Sequence, residues 1–346
     1  MPDAYISQFS GEEIDAALRA AQIISGASTP AELRKKLEIR GDTIPVSARD
    51  STLISEALTK IPTTSGGGGV NPNLLDNWYF GRPVNQRGQN KYTYTPASSY
   101  TIDRWRADGN GTITLKDGYI DVFNNNSWCS VMQYIDNPKC FAGKTLTASM
   151  LRRDENPLKL MLYVDGKSLG EVLKTDKLVS TTVTLPDNVS SLAILFGAST
   201  NKTSSLLAAK LELGDTQTLA HKENEKWVLN EIPDFGEQLR RCQWYHREIE
   251  RSNYGMFALG MSTSATEIDF IIPLNPPMRV APSVSFEGSF ATNGVSFNSI
   301  PSLGVVESYP DEITLRATGS GFVRGEERTL QVSSAATSKI IISAEL

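Results

Sequence analysis

The chain has 346 residues, of which 40% are hydrophobic and 21% charged, and it carries a formal net charge of −5. That length exceeds what one hydrophobic core usually serves, so two or three domains are expected, and the globular composition excludes global disorder. The acidic balance leaves no basic footprint for nucleic acid, and no apolar run of about 18 residues offers a helix for membrane insertion.

Helix punctuation dominates residues 1–61. Ser10 and Glu13 form a capping box ahead of an apolar stripe of Ile14, Ala17, Leu18 and Ala21. A second box lies at Thr29 and Glu32, with Pro30 at the first helical position and Leu33 and Leu37 on the buried face. A third helix is expected around Leu53, Ile54, Ala57, Leu58 and Ile61. Helices this short need a partner surface to bury their stripes, supplied either by another copy of the chain or by a neighbouring protein, so the segment is expected to serve for attachment. The opening Met-Pro-Asp-Ala-Tyr lacks the charged and apolar regions of a secretory signal, so the chain is expected to stay where it is made. Residues 62–72, with four consecutive glycines, read as a flexible linker. They lack the Lys-Ser/Thr and the preceding strand of a phosphate-binding loop.

From 73 to 218 the apolar period becomes two. Ile113 and Leu115 lead through Asp117-Gly118 to Ile120 and Val122, and Leu160, Leu162 and Val164 lead into Asp165-Gly166, both patterns of hairpins. Leu146, Ala148 and Met150, then Leu192, Ile194 and Phe196, then Ala209, Leu211 and Leu213 repeat the alternation. The expected fold class is therefore mainly β, with this region a jelly-roll β-sandwich.

Residues 219–251 read as a linker and a helix running from Asp234 to Arg251, with Pro233 setting its start. Phe235, Leu239, Cys242, His246 and Ile249 fall at the 4, 3, 4, 3 spacing of a coiled-coil seam. Two heptads leave two readings open: a single helix packed on a neighbouring sandwich, or a short oligomer seam between chains. Residues 252–346 return to strands around Ile268, Phe270, Ile272, Val284, Phe286, Ile313, Leu315, Leu330 and Ile340, a C-terminal β-sandwich.

Catalytic motifs are missing. There is no Gly-x-Ser-x-Gly, and His221 and His246 are the only histidines. Cys129, Cys140 and Cys242 are odd in number and lack CxxC spacing, so free thiols are expected and neither a disulfide framework nor a metal site. No enzyme activity and no cofactor are expected. Aromatics, by contrast, concentrate in the first β region, among them Tyr92, Tyr94, Trp105, Trp128 and Tyr134. A sugar ring stacks its apolar face on Trp or Tyr while amides bond its hydroxyls. Trp128 beside Asn124, Asn125 and Asn126, together with Tyr92 and Tyr94, are the candidate glycan-binding residues. Trp105, at a strand start, is expected to be core.

The run NLLDNWYFGRPVNQRGQ (73–89), then YTIDRW (100–105) and AKLELGDTQT (209–218), resembles the carbohydrate-binding-module-like jelly roll of bacteriophage and prophage tail fibre proteins. WVLNEIPDFGEQLRRCQWYH (227–246) and PPMRVAPSVSF (276–286) resemble the C-terminal module that often follows it, and FSGEEIDAAL (9–18) is similar to segments that open many tail appendage proteins. The resemblance implies a homotrimer attached to other tail or baseplate proteins through its N-terminal segment and contacting host cell-surface polysaccharide. It places the protein in the virion after synthesis in the bacterial cytoplasm. It implies no catalytic set. The alternatives are a purely structural tail or baseplate decoration protein, and a polysaccharide depolymerase.

Overall fold

The computed structural model describes residues 71–95, 99–294 and 298–346, with side chains for all but 126–129 and 298–299. The helices expected within 1–61 and the glycines of the expected linker lie outside the described residues. The protein is mainly β, as expected. Its first module comprises β1 (Lys91–Tyr94), β2 (Ser99–Tyr100), β3 (Arg106–Lys116), β4 (Tyr119–Tyr134), β5 (Thr145–Arg152), β6 (Leu158–Val164), β7 (Lys167–Lys174), β8 (Leu178–Thr184), β9 (Leu192–Ala198) and β10 (Thr203–Leu213). They run β7-β6-β9-β4-β10-β5-β8, with β3 paired to β4 and carrying β1 and β2.

One long strand serves both layers of this sandwich. The start of β4 pairs with β10 at Ile120 to Phe123, and its end pairs with β9 at Val131 to Tyr134. Its partner β3 shifts register between Gly109 and Gly111. Gly109 has φ 90, and a Cβ on Gly111 would fall 2.3 Å from the Phe123 carbonyl oxygen, so the bend requires glycine at both positions. Both predicted hairpins form. Asp165 and Gly166 each take positive φ, as the two-residue turn between antiparallel strands demands.

The two layers close over Leu75, Phe80, Trp105, Ile113, Leu160, Phe196 and Leu211, all fully buried. Trp105 sits between Phe80 and Phe196 with ring centroids 5.3 Å from each, and its indole N–H donates to the Asn77 carbonyl at 2.9 Å. Burial plus a satisfied N–H is what makes a tryptophan a core residue. Tyr92 and Tyr94 belong to the same core, 5% and 2% exposed, with the Tyr92 hydroxyl bonded to Asn85 Oδ1. Burial pushes the Tyr92 phenol up to about 12. Neither tyrosine faces solvent, so both are corrected from glycan candidates to packing residues. Their β1 positions alternate inward with the exposed Lys91 and Thr93.

The segment 219–251 divides differently from the expected linker and long helix. Leu219 and Ala220 pack into the first core, and β11 (Ala220–Glu223) pairs with β12 (Lys226–Leu229) as a hairpin. Helix α1 spans Phe235–Gln243 only, with the Asp234 side chain accepting from the Glu237 N–H at 2.8 Å as its N-cap. His246 and Ile249 lie in strand β13 (His246–Ser252), so the five seam residues do not share one helical stripe. Cys242 and His246 are buried within the chain. A ladder of seven residue pairs with β22 (Thr337–Ser343), His246↔Ser343 through Ser252↔Thr337, outweighs the local helical spacing after Gln243.

The second module adds β14 (Met256–Ser262), β15 (Glu267–Pro273), β16 (Ser283–Glu287), β17 (Phe290–Asn293), β18 (Asn298–Ser299), β19 (Ser302–Ser308), β20 (Glu312–Thr318), β21 (Glu327–Val332) and β22 (Thr337–Ser343). A seven-stranded sheet, β18-β17-β21-β14-β15-β20-β19, packs on a three-stranded one, β13-β22-β16. Ile268, Phe270, Ile313 and Leu315 from one layer meet Ile340 and Ile342 from the other. Both modules fall in one compact unit, Val70–Leu346. The Asn77 N–H donates to Gln238 Oε1 at 2.6 Å, Gln86 Nε2 donates to the His246 carbonyl at 2.7 Å, and Arg104 lies 3.4 Å over the Tyr245 ring.

Candidate functional site

A groove of about 760 Å³ opens on the outer side of the layer formed by β6, β9 and the second half of β4. The side chains follow from strand parity. Leu158, Leu160, Leu162 and Val164 of β6 point into the core, as do Leu192, Ile194 and Phe196 of β9, which turns Lys159, Met161 and Tyr163, and Ala193, Leu195 and Gly197, outward. On β4, Val131 is core, and Ser130, Met132 and Tyr134 face the groove.

Register then arranges these residues in rows. Tyr134 stands opposite Ala193, which stands opposite Tyr163, which stands opposite Ser168 of β7. Two half-buried tyrosines are thus separated by one alanine, about 10 Å apart across two strand spacings. In the next row Arg106, Met132, Leu195 and Met161 are successive cross-strand partners. Met132, Met161 and Leu195 form an apolar cluster of their own, separate from the main core, with Tyr134 packed against it. This is the floor of the groove. A third row starts with the cross-strand pair Asp108 and Ser130, whose Asp108 Oδ1 and Ser130 Oγ are buried without a hydrogen-bond partner.

The charges along the groove occur as pairs. Lys159 Nζ lies 3.0 Å from Glu171, Arg106 Nε lies 3.8 Å from Asp108, and the Arg106 guanidinium sits 5.9 Å from the Tyr134 ring centre. The lining is therefore near neutral, with aromatic walls, an apolar floor and a polar rim. That combination suits a ligand having apolar faces and many hydroxyls. Among the described residues no group of three His, Cys, Asp or Glu is placed to hold a metal ion.

The candidates named from sequence fare unevenly. Asn124 reaches one end of the groove, but it is buried there. Its Nδ2 donates to the Ala198 carbonyl at 3.0 Å, and its main chain bonds Lys202 and Asn201, which fixes the loop between β9 and β10. Asn125 is exposed. Asn126 and Trp128 belong to β4, and their side chains lie outside the described residues. Tyr163, Met161, Met132 and Leu195 were not among the candidates. For Tyr163, Met161 and Leu195 the signal was present in 158–164 and 192–198, where apolar residues occupy both parities of one strand, so that the second face also needs a covering or a ligand.

No protein-family model matches the chain, and no curated protein sequence matches it. Among solved structures, a family 4 carbohydrate-binding module is similar at 18% identity over 40% of this chain and 99% of its own, with a TM-score of 0.28. The tandem family 22 modules of Paenibacillus barcinonensis Xyn10C are similar at 10% identity, over 82% of this chain and 100% of theirs, with a TM-score of 0.26. A family 51 module from Clostridium perfringens, solved with methyl-galactose, is similar at 11% identity over 35% of this chain and 99% of its own, with a TM-score of 0.21. Scores this low say nothing about a ligand for this chain, which has to be read from the groove's own residues.

Proposed function

We propose that the chain is a non-catalytic glycan-binding protein whose groove holds a neutral saccharide chain. One observation carries this reading: Tyr134 and Tyr163 flank Ala193 over a methionine and leucine floor. Sugar rings stack on the two phenol faces, and their hydroxyls meet the rim formed by Asp108, Ser168, Lys159 and Glu171. Because each charge in the rim already has an opposite neighbour, uncharged sugars lose less solvation on entering than uronic or sialic acids do.

The wider role we assign is that of a tail fibre or receptor-binding protein of a phage or prophage, in keeping with the sequence resemblance. In that role the chain forms a homotrimer in the virion and meets host polysaccharide. Three grooves on one body raise avidity by about 10² or more without any new contact. The outer face of the seven-stranded sheet exposes Leu259, Met261 and Ile271, and a second copy of the chain would cover them.

Calorimetric titration of the whole chain against neutral and acidic bacterial polysaccharides tests the groove. Binding to a neutral polymer, with acidic ones at least tenfold weaker, is expected. Failure to bind any polysaccharide overturns the glycan reading, and sedimentation of a stable monomer at micromolar concentration overturns the trimer.

A further inference from the structure

The junction between the two modules is built around a shared arginine. Arg87 Nη1 donates to Asp103 at 3.1 Å, and its Nη2 donates to Glu345 at 2.6 Å, so one guanidinium ties the first module to the segment after β22. The two carboxyls are unequally served. Asp103 also accepts from the Gln86 N–H at 3.3 Å and from Gln86 Nε2 at 2.7 Å. Glu345 accepts from the arginine, and its Oε1 is buried with no hydrogen-bond partner. A carboxylate oxygen in that position has lost water and gained nothing.

Burial raises both carboxyls beside Arg87, but the two Gln86 hydrogen bonds favour the charged form of Asp103 and nothing beyond Arg87 favours that of Glu345, so the geometry makes Glu345 the carboxyl that takes up the proton. From the first module Tyr92, Tyr100 and Arg104 face the cluster. Burial raises both tyrosines, and Arg104 is held by Asp76 at 3.1 Å. From the second module come Cys242, His246 and Glu248. Burial raises the Cys242 thiol, and Lys339 holds Glu248 at 3.0 Å. Burial, with the Arg87 charge adding to it, lowers His246 to about 3, so its imidazole stays neutral throughout. The Tyr100 hydroxyl bonds the Leu346 main-chain oxygen, and Tyr245, bonded to Asp136, and Arg279 close the far side.

We propose that Glu345 is a proton-operated latch of the inter-module junction, holding the modules together while it carries its proton and loosening them when it loses it. Without that proton, a single guanidinium faces two shielded carboxylates. Burial lifts the Glu345 carboxyl from its ordinary 4.5 to about 7. The folded state therefore binds the proton more tightly than the unfolded chain does. The latch is complete below about pH 4.5 and is lost as pH rises through about 7.

Amide hydrogen exchange on the whole chain, corrected for intrinsic rates, reads this directly at the Asn77 N–H, which crosses the junction to Gln238. Protection there is expected to fall at least tenfold from pH 5.5 to pH 8.5 while amides between β5 and β10 hold theirs, and Glu345→Gln abolishes the fall. A fall that persists in Glu345→Gln, or no fall in the unaltered chain, overturns the latch. Should the variant not fold, the ¹³C shift of the Glu345 carboxyl in the unaltered chain decides. A midpoint near 7 supports the latch, and one near 4.5 overturns it. None of these readouts requires a glycan.

Discussion

Among the described residues, two sheet faces carry apolar side chains outside the main cores, and they differ in kind. The groove of the first module sets two tyrosines around an alanine and ends in ion pairs. The outer face of the second module's larger sheet sets Leu259, Met261 and Ile271, 64%, 54% and 55% exposed, on adjacent strands, beside the Arg316–Asp269 pair at 2.6 Å. Aromatic walls at a fixed separation select a ligand by shape and by the direction of its polar groups. Aliphatic side chains on an open sheet offer area without direction, which serves another protein surface better than a sugar.

The harshest way to break this comparison is to remove the scaffold beneath the groove. Trp105→Ala empties the space between Phe80 and Phe196 and is expected to cost about 3–5 kcal/mol in denaturant unfolding, with saccharide binding lost alongside. Next in size, Tyr134→Ala and Tyr163→Ala should each weaken saccharide binding about tenfold, and together about a hundredfold, with stability changed by no more than ~1 kcal/mol. Tyr92→Phe is their counterpart: it removes a buried hydroxyl's bond to Asn85, costs ~1 kcal/mol, and leaves affinity untouched. A Tyr92 effect on affinity equal to that of Tyr163 would move the binding face to β1. The smallest effect sharpens the contrast from the other side. Leu259→Ser with Ile271→Ser should leave saccharide affinity within twofold while reducing self-association in sedimentation.

Much of the fold was legible because period-two alternation and turn chemistry are local. Ile113 to Val122 and Leu160 to Val164 each carried a hairpin in a dozen residues or fewer, and Trp105 was readable as core from its place at a strand start. The helix after Pro233 was legible at its beginning, where Asp234 caps it, and misleading at its end. The 4, 3 spacing through His246 and Ile249 is local, whereas the β22 strand that captures them lies far along the chain. The groove was harder to see for a related reason. Tyr92 and Tyr94 are conspicuous in sequence yet alternate inward, and Tyr163 sits inside an apolar run that reads as a buried strand. Which of two apolar parities meets solvent is fixed only when the second layer is in place.

The position of β22 has a consequence for how the molecule is made. It is the last of the described strands to leave the ribosome, yet it lies between β13 and β16 and bonds to both. The three-stranded layer cannot assemble until that strand emerges, so Ile249, Val284 and Phe286 wait uncovered while the first module already has every strand it needs. During that interval the nascent second module is the part of the chain most exposed to aggregation, and anything that slows translation of its final segment lengthens the exposure.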